Sequence, residues 1–150
     1  MFGKSIKLFR LQGFEVKIDF SWIIIAILVA WSLSTGLFPL RFKNLSTQTY
    51  WVMGIVGALG LFLSIIAHEF AHSLVARKYG MHMKGITLFI FGGVAEMGEE
   101  PPKPRAEFAM AVVGPISSMA IAVVFYGISR VGGGFLPQPI NGVLGYLAWI

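Results

Sequence analysis

The feature that most constrains this chain is a run of 21 residues, from Phe20 to Leu40, without a charged side chain. A helix that crosses the hydrocarbon core of a bilayer needs about 20 mostly apolar residues. The run exceeds the apolar part of a secretory signal peptide, about 7–15 residues, and the preceding segment is too long and mixed for its basic leader. Residues 20–40 are therefore predicted to form a retained membrane-spanning helix.

Further apolar segments predict two more spans, over residues 50–77 and 106–129. The second span leads into Arg77-Lys78-Tyr79-Gly80, where basic residues and a glycine favour the end of a helix. Gly114-Pro115 predicts a kink inside the third span. Another apolar run starts at Val143, so we expect the start of a fourth span and a natural protein that continues beyond residue 150.

The composition agrees with a membrane protein, since 56% of the side chains are apolar and 13% are charged. Soluble domains have about 45–50% apolar residues and about 25% charged residues. The absence of cysteine excludes a disulfide-stapled module.

Nine of the 12 basic residues precede the first span or lie between the second and third. The positive-inside rule therefore predicts that the N-terminus and the strand region are cytoplasmic. We expect a plasma-membrane protein, and no nucleic-acid partner, because so apolar a chain more often uses its basic residues to set membrane orientation.

The segment Ile86–Val94 is short, β-branched and aromatic, and it is closed by Gly92 and Gly93. This pattern predicts an extended strand. The predicted fold class is an α-helical polytopic membrane protein. It has three transmembrane helices, the start of a fourth, and a short membrane-associated β-strand region between the second and third.

The candidate chemical site is His68-Glu69-Phe70-Ala71-His72, an H-E-x-x-H motif late in the second span. Residues four apart share one helix face, so both imidazoles can reach one metal ion beside the glutamate. Neutral imidazole binds zinc, and the glutamate can accept a proton from water as a general base. The motif therefore indicates one Zn²⁺ per chain and peptide-bond hydrolysis. A polar cluster joining two helices, or haem ligation by the histidines, remains the alternative.

A catalytic zinc normally has three protein ligands, and the sequence leaves the third open. The single aspartate, Asp19, precedes the first span, and Glu96 follows His72 by 24 residues. The other candidates fit solvated or surface positions: His82, Glu99, Glu100 and Glu107. The third ligand is one of these residues, or it lies beyond residue 150.

Small residues recur on both of the later spans. Their three- and four-residue spacing is typical of closely packed membrane helices. We expect the two stripes to face each other and seat the metal, although the stripe on the third span also fits packing without a site. The stripes are Gly54, Gly57, Gly60 and Ser64, continued by the two histidines, and Ala111, Gly114, Ser118 and Ala122.

In combination, these features resemble the site-2 protease family of intramembrane zinc metalloproteases. The resemblance rests on the His68–His72 motif, the Ala76–Gly80 exit, the Phe91–Ala95 segment and Gly114-Pro115, which together cover about residues 1–130.

This resemblance implies His68 and His72 as zinc ligands and Glu69 as the catalytic base. It also implies a membrane-spanning protein substrate that is cleaved within the lipid bilayer, near the cytoplasmic side. The substrate would add to the strand around Gly92 and Gly93 by main-chain pairing, unless those glycines are only structural.

One departure from the family concerns its third ligand, an aspartate before glycine, because no such pair occurs here. We expect it beyond Ile150, which would make these residues the N-terminal part of a single metalloprotease domain. A non-enzymatic membrane interaction module, or an inactive fragment without the third ligand, is the competing reading. A membrane protease acting on soluble substrates is a further one.

Overall fold

The computed structural model describes residues 5–11, 13–81, 83–89, 92–97 and 103–150. Among these residues, three helical segments are long and apolar enough to cross a membrane: Phe20–Arg41, Thr47–Lys78 and Pro104–Gly132. The predicted fold class is therefore confirmed. The elements in chain order are β1 (Ser5–Leu11), β2 (Phe14–Asp19), α1 (Phe20–Ser32), a π-helical turn (Leu33–Leu37), α2 (Phe38–Arg41), α3 (Thr47–Lys78), β3 (Met83–Phe89), β4 (Gly92–Met97), α4 (Pro104–Gly132) and α5 (Gln138–Trp149).

The chain divides into two compact units. The sheet unit comprises Met1–Ile24 and Ile65–Ser118, and the helical unit comprises Ile25–Ser64 and Met119–Ile150. The H-E-x-x-H segment belongs to the sheet unit. The run predicted to begin a fourth span at Val143 lies inside α5, which begins at Gln138.

The sheet unit contains four strands in the order β1-β2-β3-β4. The central pair, β2 and β3, is parallel, and the two outer pairs are antiparallel. Gly85 is required in the parallel pair, because a Cβ at this position would lie 2.5 Å from the backbone oxygen of Glu15. Strand β4 is an edge strand of this sheet.

The predicted strand region is confirmed, but it differs in detail from the single strand expected over residues 86–94. Two antiparallel strands occupy the region, with Leu88 opposite Gly93. Gly92 and Gly93 open β4, whereas they were expected to close the preceding strand. Phe91 lies outside the described residues. The two N-terminal strands were not predicted.

The sheet packs against the part of α3 that carries the motif. Buried Ile18, Ile86 and Leu88 form a core cluster, and partly buried Ile65, Ile66 and Phe70 of α3 pack against it together with Trp22. The ring of Phe14 meets Phe70 edge to face, with the centroids 5.8 Å apart. This apolar contact fixes the rotation of α3, and with it the direction in which the neighbouring histidines project.

The C-terminal end of α3 is closed by a Schellman motif. Gly80 has a φ of 79°, Met81 N donates to Ala76 O, and Gly80 N donates to Arg77 O. Ala76 and Met81 share a small apolar cluster with Met110 of α4. The predicted glycine stop is therefore present, and it fixes the end of the helix within two turns of His72.

The helical unit uses its glycines for close helix packing. A Cβ at Gly54 would lie 2.7 Å from the backbone oxygen of Ala30 in α1, and a Cβ at Gly60 would lie 2.6 Å from the Leu147 side chain in α5. The expectation that these glycines face the third span is therefore wrong. Gly54 admits the backbone of α1 and Gly60 admits the Leu147 side chain of α5, because small residues let neighbouring helices approach closely.

We predict that Gly54→Ala lowers the free energy of unfolding by about 1–3 kcal/mol, the usual cost of overpacking. The added methyl group would collide with the Ala30 carbonyl and with the Ser34 side chain. Unfolding in detergent micelles measures the change. Gly127→Ala is the control, since a Cβ there has no neighbour within 4 Å. Equal stability of both variants would contradict this packing.

Candidate metal centre

The two imidazoles of the motif converge on one point. His68 and His72 lie one turn apart on α3, and their Nε2 atoms are 3.1 Å apart. Two imidazole nitrogens that bind one zinc ion at 2.0–2.1 Å with tetrahedral geometry lie about 3.3 Å apart. The pair therefore fits two positions of a tetrahedral metal site without a rearrangement of the helix.

Gly114 of α4 forms one wall of this site. It is buried, and a Cβ at this position would lie 2.6 Å from His68 Nε2 and closer still to His72 Nε2. Here the small residue admits functional side chains instead of a backbone. The prediction that the two small-residue stripes face each other is therefore correct for these histidines and Gly114. Helix α4 continues through Pro115 to Gly132.

Glu69 lies beside the edge strand of the sheet. A Cβ at Gly93 of β4 would lie 2.6 Å from Glu69 Cγ, so the absence of a side chain at Gly93 makes room for the glutamate. The Glu69 backbone oxygen accepts a hydrogen bond of 2.9 Å from Ser73 Oγ. The side chain of the candidate base therefore lies between its own helix and β4.

A hydrogen bond also reaches the site from α4. Ser118 Oγ lies 2.8 Å from His68 Nδ1, the ring nitrogen that does not face His72. Ser118 follows Gly114 by one helical turn. Sequence spacing identified both residues as members of a small-residue stripe, but it carried no signal for this bond.

The described residues contain no group of three or more His, Cys, Asp or Glu side chains arranged to hold a metal ion. Among the candidates for a third ligand, Glu96 is paired in β4 opposite Gly85, and Glu107 is exposed at the start of α4. The remaining candidates lie outside the described residues: His82, Glu99 and Glu100.

Asp19 has a different role, as the cap of the first helix. Its Oδ1 accepts a hydrogen bond of 2.9 Å from the backbone N–H of Ser21, in the first turn of α1. Aspartate is favoured at this position because it satisfies an otherwise unpaired N–H group. Its location immediately before the first span is explained by this bond.

Fold and site together define a polytopic membrane protein with a pair of converging imidazoles and a glutamate on one spanning helix. Residues 56–143 match the sequence profile of peptidase family M50. The chain belongs to this family.

Two curated relatives show the extent of the similarity. A Synechocystis protein named "Putative zinc metalloprotease sll0528" is 41% identical over 99% of this chain and 38% of its own length. The Mycobacterium tuberculosis protein named "Putative zinc metalloprotease Rip3" is 40% identical over 81% of this chain and 30% of its own length. The chain thus spans only about a third of the length of these relatives.

A solved structure shares the fold. It is the site-2 protease from Methanocaldococcus jannaschii, which matches with a TM-score of 0.63 at 23% identity over 97% of this chain and 61% of its own. The membrane-spanning helices and the small sheet are therefore a known arrangement.

We predict that Gly114→Ala lowers the amount of bound zinc at least tenfold, because the new methyl group would occupy the space of both Nε2 atoms. Zinc per chain after purification in detergent measures the loss. The same substitution at Gly127, in the open part of the same helix, should leave zinc unchanged. An unchanged amount of bound zinc in both variants would show that the site does not require the space left by Gly114.

Proposed function

We propose that this protein is a zinc-dependent endopeptidase that cleaves membrane-spanning protein substrates within the lipid bilayer. The observation that carries the proposal is the 3.1 Å convergence of His68 and His72 Nε2 on a membrane-spanning helix, with Glu69 between them in sequence. Membership of a peptidase family supports it and does not favour a non-enzymatic interaction module.

In this proposal, His68 and His72 would hold one Zn²⁺ through their Nε2 atoms. Zinc, when bound, supplies the Lewis acidity that polarises a peptide carbonyl and makes water more acidic. Glu69 takes a proton from the attacking water and passes it to the leaving amine. The third ligand of this site stays a prediction.

The substrate binds as an added strand on β4. The contact between Gly93 and Glu69 supports this, because a peptide paired along that edge would run beside the base. Main-chain pairing suits a substrate whose helix must unwind before hydrolysis, since it satisfies the exposed N–H and C=O groups in an apolar setting. The side chains of the substrate then have a secondary part in recognition.

The proposed setting is the plasma membrane, with the N-terminus and the strand region between the second and third spans on the cytoplasmic side. The charge distribution supports this orientation, because nine of 12 basic residues flank the spans on that side. A cut near the cytoplasmic face would release the soluble part of a membrane-bound substrate into the cytoplasm.

The test is Glu69→Gln in the full-length protein in lipid vesicles, with a fluorogenic transmembrane reporter as substrate. Cleavage should fall about 10²–10⁴-fold, the usual contribution of a general base, while zinc is retained. His68→Ala and His72→Ala should lose both zinc and cleavage. Unchanged cleavage by Glu69→Gln would exclude Glu69 as the base.

A water-soluble peptide of the same cleavage sequence is the matched substrate. We expect the transmembrane reporter to be cleaved at a higher kcat/KM, because the site lies on a spanning helix and not on an exposed loop. Preference for the soluble peptide would contradict the intramembrane part of the proposal and leave the peptidase part standing.

A further inference from the structure

We infer that Ser118 is a positioning residue of the metal site, which accepts a hydrogen bond from His68 Nδ1 and thereby holds His68 in the tautomer that can bind metal. The inference rests on the proposed function, because it assigns a role to Ser118 in the same zinc site. It starts from a 2.8 Å hydrogen bond between residues 50 positions apart in the sequence.

The partner of Ser118 differs from the partners of the three other serines near the site or along α3. Ser64, Ser73 and Ser117 each donate their hydroxyl to a carbonyl three or four residues earlier in their own helix. That local bond is the usual way for a serine to satisfy its hydroxyl in an apolar setting. Ser118 instead meets an imidazole on another helix.

Metal binding through Nε2 of His68 determines which ring nitrogen must carry the proton. Nε2 faces the convergence point, 3.1 Å from His72 Nε2, and Nδ1 faces Ser118 Oγ. A neutral imidazole has one N–H and one lone pair, so metal binding through Nε2 requires the proton on Nδ1. An acceptor at Nδ1 stabilises that tautomer and also opposes rotation of the ring.

The bond depends on the close approach of α4 to α3. Gly114, one turn before Ser118, leaves the space into which both Nε2 atoms project. A larger residue there would push α4 away and lengthen the Ser118 bond. The two residues thus act at the two nitrogens of one ring: Gly114 makes room at Nε2, and Ser118 supplies an acceptor at Nδ1.

The test compares zinc dissociation constants for the full-length protein, measured by competition with a chelator in detergent. Ser118→Ala should weaken zinc binding about 10–100-fold, the usual effect of losing an outer-shell partner of a ligating histidine. Ser117→Ala is the matched control and should stay within about threefold of wild type, since its hydroxyl bonds to its own helix.

Ser118→Thr and Ser118→Val keep the experiment decisive even if Ser118→Ala folds poorly. The two side chains have nearly the same shape, but only threonine keeps the hydroxyl. Threonine should bind zinc within about threefold of wild type, and valine should match the loss expected for alanine. Equal zinc affinity of the two variants would overturn the inference.

The tautomer itself is read from ¹⁵N chemical shifts of histidine in the zinc-free protein. His68 should carry its proton on Nδ1 in wild type and in Ser118→Thr, and Ser118→Val should populate the other tautomer. A purely structural role for Ser118 would leave these shifts unchanged.

The result for His68→Ala separates this inference from the proposed function. If wild type binds zinc, His68→Ala does not, and Ser118→Val binds as tightly as wild type, then only the role of Ser118 is wrong. If wild type itself binds no zinc, or His68→Ala binds it equally well, then the zinc site and the role of Ser118 fall together.

Discussion

The site depends on the requirement that polar side chains at membrane depth find partners within the protein. An ionisable side chain in a spanning helix is costly, and it persists where other side chains or a ligand satisfy it. His68 meets this requirement with one nitrogen on Ser118 and the other directed at His72. The contact with Ser118 needs α4 close to α3, so the packing of these two helices and the chemistry of this site have one cause.

Glycines allow close contacts in both units, but the groups that they admit differ. In the helical unit, Gly54 and Gly60 admit the backbone of α1 and the side chain of Leu147, and the outcome is apolar packing. In the sheet unit, Gly114 admits two imidazole nitrogens and Gly93 admits the Glu69 side chain. The same steric property thus builds a core in one unit and leaves room for polar groups in the other. The nature of the admitted group, and not the glycine, distinguishes the two.

The spans and the motif could be predicted from the sequence because both follow from local periodicity. Twenty apolar residues specify a spanning helix, and a four-residue spacing puts His68 and His72 on one face. The sheet was harder to predict from the sequence. Phe14, Val16 and Ile18 alternate with polar residues, a strand signal that the mixed composition of the N-terminal segment obscured. The contacts of Glu69 with Gly93, and of His68 with Ser118, join residues 24 and 50 positions apart, and no spacing rule reports such pairings.

X-ray absorption at the zinc edge of the purified full-length protein tests the central claim most directly, since it reports the ligands themselves. The account predicts two imidazole nitrogens in the first shell at about 2.0–2.1 Å, reduced to one or to no bound zinc in His72→Ala. A first shell without imidazole, or a spectrum that is the same in His72→Ala, would contradict it. The convergence of the two Nε2 atoms would then have a structural role only.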